Sequence, residues 1–103
     1  MAEKTYAGNT VQVNDEGYMT DASQWNKDIA VEIGKEEGIE LTEEHFKVLE
    51  FIREKHSAGE TLTIRKLGKS GITDIKGLYK LFPGGPLKKA SRIAGIEKPS
   101  SCV

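Results

Sequence analysis

Apolar positions recur at helical spacing through most of this chain. Trp25, Ile29 and Ile33 fall at i, i+4 and i+8, which predicts a first helix that starts near Asp21 or Ser23. Gly34 and Gly38 flank its expected end. His45, Val48, Leu49, Ile52 and His56 share one face of a second helix. Thr42 is a suitable N-cap for it, Glu43 and Glu44 favour its positive end, and Gly59 breaks it. Two shorter helices are predicted over 63–69 and 73–82, the latter with Ile75, Leu78, Tyr79 and Phe82 on one face. Pro83-Gly84-Gly85-Pro86 then enforces a break, and Pro86 suits the first turn of a last helix that runs through Ala94 to a stop at Gly95.

The ends of the chain read differently. Residues 4–20 predict a small hairpin: Thr10, Val11, Gln12 and Val13 have strand propensity, Asn14-Asp15-Glu16-Gly17 has turn chemistry, and Tyr18-Met19 resumes. A two-stranded ribbon is marginal alone, so it is expected to lie on the helices. The closing IEKPSSCV holds Pro99 and two serines and has no periodicity, which predicts a mobile arm. The expected fold is therefore mainly α: a small helical bundle with an N-terminal β-hairpin and a flexible C-terminal arm. Residues 1–95 form its single helical domain and residues 96–103 its arm. There are no internal repeats.

Composition narrows the class. With 37% hydrophobic and 30% charged residues, the chain reads as a soluble globular protein. No apolar run approaches the roughly 20 residues that span a bilayer. The opening MAEKTYAGNTVQVNDEGYMT lacks the apolar core of a signal peptide, and a lone cysteine fits a reducing compartment. No membrane association and a cytoplasmic location are expected.

The net charge of −1 conceals a division. Residues 1–61 carry six Lys/Arg against 14 Asp/Glu, whereas residues 62–98 carry nine against two. That asymmetry points either to an anionic partner for the second half or to attraction between the halves. The stretch TLTIRKLGKSGITDIKGLYKLF reads as helix, glycine-containing turn, helix, with Arg65, Lys66, Lys76 and Lys80 as candidate nucleic-acid contacts and Lys88 and Lys89 assisting. Plain helix packing gives the same pattern, and Asp74 repels phosphate. Weak nucleic-acid binding at most is expected.

Other chemistry is sparse. His45 and His56 stand at opposite ends of one stripe with no cysteine or carboxylate to complete a metal site at ligand spacing, so they are read as core-edge residues and no metal is expected. No acid–base pair or glycine-rich phosphate loop is present, and no cofactor is expected. What remains is Cys102, the only cysteine. A thiolate is a strong nucleophile, and the nine residues from 95 to 103 extend to roughly 30 Å at about 3.3 Å each. Arg92 and Lys98 favour its anion or that of a persulfide, and the Val103 carboxylate opposes it. On residue chemistry alone, an accidental terminal cysteine is an equal alternative.

The ending carries a resemblance. Phe82-Pro83-Gly84-Gly85-Pro86 followed by Ala94-Gly95-Ile96-Glu97-Lys98-Pro99-Ser100-Ser101-Cys102-Val103 is similar to the C-terminal segment of the DsrC/TusE family. The similarity extends upstream through Asp15-Glu16-Gly17-Tyr18, Trp25 and Leu41-Thr42-Glu43-Glu44-His45. It implies a small helical protein with a hairpin and a flexible arm whose penultimate cysteine, Cys102 here, carries sulfur between proteins. Arg92, Lys98 and Pro99 are then expected to contact the arm or a partner. One branch, related to the gamma subunit of dissimilatory sulfite reductase, has a second cysteine where this chain has Ser91. TusE-like members, which relay persulfide sulfur toward 2-thiouridine in tRNA, lack it. The implied partners are sulfur-donor and sulfur-acceptor proteins of such a relay, or a sulfite reductase. With one thiol the protein is expected to be a monomer that forms a Cys102-linked dimer on oxidation.

Overall fold

A computed structural model describes residues 2–99, and Cys102 lies outside the described residues. Two antiparallel strands, β1 (Ala2–Tyr6) and β2 (Asn9–Val13), are followed by a 3-10 turn at Ala22–Gln24 and five helices. These are α1 (Lys27–Glu36), α2 (Glu43–Ser57), α3 (Ile64–Gly68), α4 (Ile75–Leu81) and α5 (Pro86–Ile93). The expected class, helices with an N-terminal hairpin, is the observed one.

The hairpin differs from the predicted pairing. Its tight turn is Ala7-Gly8, both at positive φ (50° and 79°), and its register runs from Ala2 opposite Val13 to Tyr6 opposite Asn9. Paired positive-φ residues match the twist of the flanking strands. The predicted turn at Asn14–Gly17 exists as a second reversal, where Asn14 N–H donates to Tyr18 O at 2.9 Å and Val13 bridges Met19. Strand β1 was hidden because residues 2–5 are all exposed and alternate no apolar side chains.

Helix α1 starts later than predicted. Asp21 caps only the 3-10 turn, and the Asn26 side chain accepts from Ile29 N–H at 2.9 Å to start the helix proper. Trp25 therefore precedes α1 in extended backbone. Helix α2 starts at its predicted cap. Thr42 N–H donates to His45 Nδ1 at 3.0 Å, which leaves Nε2 to donate to Leu81 O at 2.8 Å and ties α2 to the end of α4.

Helix α5 is the centre of the molecule. Leu87, Ala90 and Ile93 are fully buried against Ile29 and Ile33 of α1, Val48, Leu49 and Ile52 of α2, and Leu78 and Phe82. Val11, Val13 and Met19 close the same core from the hairpin side. Two expectations fail at its edge. Ile75 and Tyr79 do not join Leu78 and Phe82 but are 45% and 47% exposed, because the short α4 buries only its Leu78 side and Ile75 lies across Gly68 of α3. Ile96, read from the sequence as arm, is 4% exposed and belongs to the core. Its N–H donates to Ser91 O at 3.2 Å, so the chain is anchored one residue past Gly95.

Candidate functional site

The last turn of α5 leads into the tail root at Glu97–Pro99, and several distant residues fix that turn. The final carbonyls of any helix lack intrahelical donors. Here Trp25 Nε1 donates to Ile93 O at 2.7 Å and Arg53 donates to Ala94 O at 2.8 Å. Arg53 also donates to Ala22 O at 2.9 Å, and its guanidinium lies 4.3 Å from the centre of the Trp25 ring. A cation at this helix end also complements the helix dipole. Gly95 turns the chain at φ 73°, and a Cβ there would meet Trp25 Cδ1 at 2.4 Å. Only glycine fits between the turn and the indole.

Beyond Ile96 the tail root is held at its surface. Glu97 Oε1 stands 3.8 Å from His56 Nε2 at the end of α2, and Lys98 Nζ stands 2.9 Å from Glu16 Oε2 on the second hairpin turn. These exposed pairs orient the chain and add little stability. Pro99 is half-buried. A cleft of about 480 Å³ opens beside this root, with His56, Thr61, Leu62, Ser91 and Pro99 among its walls. Ser91 is fully buried, and its Oγ has no hydrogen-bond partner among the described residues.

The predicted site residues are therefore separated. Lys98 and Pro99 lie at the cleft. Arg92 does not: it is 11% exposed and bound to Glu36, to Glu37 at 2.9 Å and to Gly17 O at 3.3 Å. Burial disfavours its charge, but the hydrogen bond to Glu36, the charges of Tyr6 and Glu36 and the hydrogen bond to Glu37 outweigh this and raise its pKa. It clamps α5 to α1 and the hairpin. Arg65 and Lys66 lie on α3 and Lys76 and Lys80 on α4, all exposed, with Lys66 Nζ donating to Thr61 O at 2.8 Å. Lys88 and Lys89 lie apart from these, half-buried on α5 near Tyr18 and Glu37.

Sequence reasoning missed Arg53 and Glu16, and it read His56 as a core-edge residue without seeing its place at the tail root. Arg53 occupies the polar side of an amphipathic pattern, where a solvated charge and a helix-capping charge look alike. His56 fits the apolar stripe by spacing, yet as the next-to-last residue of α2 it faces the tail root.

Comparison with known proteins supports the same anatomy. Residues 5–103 match the family described as DsrC like protein. The chain is 40% identical over 106 residues to the sulfurtransferase TusE of Salmonella typhimurium, covering 95% of this chain and 97% of that one. The TusE of Escherichia coli K12 is 39% identical with the same coverage. Among solved structures, Allochromatium vinosum DsrC superposes with a TM-score of 0.83 at 35% identity, covering 98% of this chain and 97% of that one. A chain of the dissimilatory sulfite reductase I crystal structure gives 0.87 at 31% identity, with coverage of 99% and 100%. The oxidized gamma subunit of the Archaeoglobus fulgidus enzyme gives 0.82 at 32%, also with 99% and 100%. No helix among the described residues is long and apolar enough to cross a membrane. In sequence over nearly its whole length and in the fold that carries its tail root, this chain belongs to the DsrC-like protein family.

Proposed function

We propose that this protein is a sulfur carrier whose working group is Cys102. The observation that carries this reading is the position of the single thiol, six residues beyond the anchored Ile96 and three beyond the held root at Glu97–Pro99. From Ile96 the chain length permits a reach of roughly 20 Å at about 3.3 Å per residue. That is shorter than the span from Gly95 to the chain end, yet enough to enter a partner's cleft. The 39–40% identity to proteins named sulfurtransferase TusE supports the chemistry.

The reaction is an exchange without net oxidation. The Cys102 thiolate attacks the outer sulfur of a donor persulfide, the donor's S–S bond breaks, and the donor leaves as a thiolate. Cys102 now bears the persulfide. An acceptor thiolate attacks its terminal sulfur and restores the Cys102 thiolate. The partners are sulfur-relay proteins, in our reading a donor and an acceptor on the route to tRNA 2-thiouridine. Docking into a sulfite reductase is the alternative. Co-purification from native cells separates the two by the subunits retained. Donor carrying radiolabelled sulfur tests the chemistry: label should stay with the wild-type chain under non-reducing conditions, leave on reduction, and be absent from Cys102→Ser. Label retained by that variant overturns the proposal. Mild oxidation should yield a reductant-sensitive dimer joined at Cys102, visible on non-reducing gels; a chain that stays monomeric contradicts an accessible thiol.

A further inference from the structure

The segment that joins α2 to α3 has two sides. Glu60 and Leu62 border the cleft beside the tail root, and they also border a separate hollow of about 330 Å³ between the two helices. The floor of that hollow is apolar, formed by the buried Leu62 and the half-buried Phe51. Its rim is cationic. Lys55 Nζ stands 5.5 Å from the centre of the Phe51 ring and pairs with Glu60 at 3.4 Å. Lys66 Nζ donates to Thr61 O at 2.8 Å, a bond that fixes the ammonium without neutralising it. Lys69 is exposed and has no carboxylate partner among the described residues. Three ammonium groups against one carboxylate leave this rim with a charge of +2. The volume lies at the lower end of ligand-pocket sizes, about 300–1,000 Å³, and suits one large side chain.

We propose that this hollow docks an acidic segment of a relay partner, which inserts one apolar side chain between Phe51 and Leu62 while its carboxylates meet Lys66 and Lys69. Charge complementarity selects the occupant: an apolar floor calls for an apolar anchor, and the cationic rim calls for acidic residues on either side of it. An anchor seated in a pocket and ringed by polar contacts is the general form of a small protein interface. The rim charges orient and speed the encounter more than they tighten it. A nucleic acid fits this place less well. Glu60 repels phosphate, and the Phe51 ring already has Lys55 across it instead of lying open for a base to stack on. Because Glu60 and Leu62 also wall the cleft, a partner held here has the tail root alongside. Its body is gripped by α2 and α3 while the tail does the exchange.

The inference rests on the carrier reading for the kind of partner, but its test needs no thiol chemistry. Fluorescein-labelled peptides are titrated with the full chain and followed by anisotropy: an acidic peptide with one central phenylalanine, and the same peptide with alanine in its place. Three variants are compared, with circular dichroism to confirm that each is folded. They are Lys66→Glu with Lys69→Glu, Lys69→Glu alone, and Lys76→Glu with Lys80→Glu on α4 as a control of equal charge change. The phenylalanine peptide should bind saturably, and the alanine peptide about tenfold more weakly. Reversal at Lys66 and Lys69 should weaken binding about fivefold to tenfold and at Lys69 alone about threefold, while the α4 control stays within about twofold of wild type. Failure of the phenylalanine peptide to bind, equal binding of the two peptides, or equal losses in the two double variants overturns the inference. So does an RNA oligomer that displaces the peptide at about 150 mM salt, or self-association of the chain that Lys69→Glu abolishes. None of these outcomes touches sulfur uptake at Cys102, on which the carrier reading stands or falls.

Discussion

Replacing Gly95 with alanine should damage this protein far more than the same change at Gly38, and the comparison isolates one contact. Both glycines stop a helix at φ 73°. An added Cβ at Gly38 meets nothing within 4 Å, so Gly38→Ala bears only the left-handed backbone penalty of about 1–2 kcal/mol. At Gly95 the Cβ would also stand 2.4 to 2.9 Å from Cδ1, Cγ and Cβ of Trp25, closer than real contacts permit. The indole must shift, which loosens its 2.7 Å bond to Ile93 O and its stacking under Arg53. Overpacking of this kind adds about 1–3 kcal/mol, bringing Gly95→Ala to about 2–5 kcal/mol. With roughly 2.1 cal/mol/K of unfolding entropy per residue, each kcal/mol lowers the Tm of a chain this long by about 5 °C. Thermal unfolding by circular dichroism should therefore show a loss of about 5–10 °C for Gly38→Ala and about 10–25 °C for Gly95→Ala. Equal losses would refute the claim that Trp25 locks the root of the tail.

Four further outcomes follow from the charges. Arg92→Met should lower stability by about 2–4 kcal/mol in urea titration, because Glu36, Glu37 and the Tyr6 hydroxyl lose a shared partner that is 11% exposed. Burial raises the pKa of Glu36, but hydrogen bonds from Arg92 and Tyr6 and the charges of Arg92 and Lys4 prevail, so it lies below its reference of 4.5. A lowered carboxylate stabilises the fold above its unfolded pKa and loses that contribution as pH falls through the folded one; Glu36→Gln should flatten the decline in stability below pH 4.5, and an unchanged decline contradicts this. Burial, with neighbouring carboxylates, raises the pKa of Tyr6 and Tyr18 above 10.0, so the unfolded chain sheds these protons first and stability should drop as pH rises past 10. The exposed cations of α3 and α4 predict weak tRNA or duplex binding that falls steeply with salt, and an absence of binding at about 50 mM salt removes nucleic acid as a partner.

Most of the helical body was legible because its signals are local. Thr42 at the start of α2, Pro86 at the start of α5 and Gly95 after it act through backbone chemistry that the sequence states outright. What was hidden depends on pairing between distant segments. Strand β1 has no apolar alternation and exists because Ala7-Gly8 folds it onto β2. Ile75 and Tyr79 have the spacing of a buried face, but a seven-residue helix that buries only Leu78 leaves them outside. Ile96 looked like part of an aperiodic tail, since one apolar residue carries no period, yet the cavity that receives it is built by α5 and its neighbours. Arg92 misled for a related reason: its proximity to Cys102 in sequence suggested service to the thiol, while its partners on α1 and the hairpin lie 55 to 86 positions away. Cys102 itself was read from its chemistry and the resemblance, and it lies beyond the described residues.

The central claim is that one sulfur atom travels on Cys102. The most direct measurement is the intact mass of the purified chain after incubation with a persulfide donor and removal of excess reagent, on wild type and Cys102→Ser in parallel. The account predicts that wild type gains the mass of one sulfur atom, loses it to reductant, and that the serine variant gains none. A wild-type chain that gains no sulfur, or a serine variant that gains as much, contradicts it.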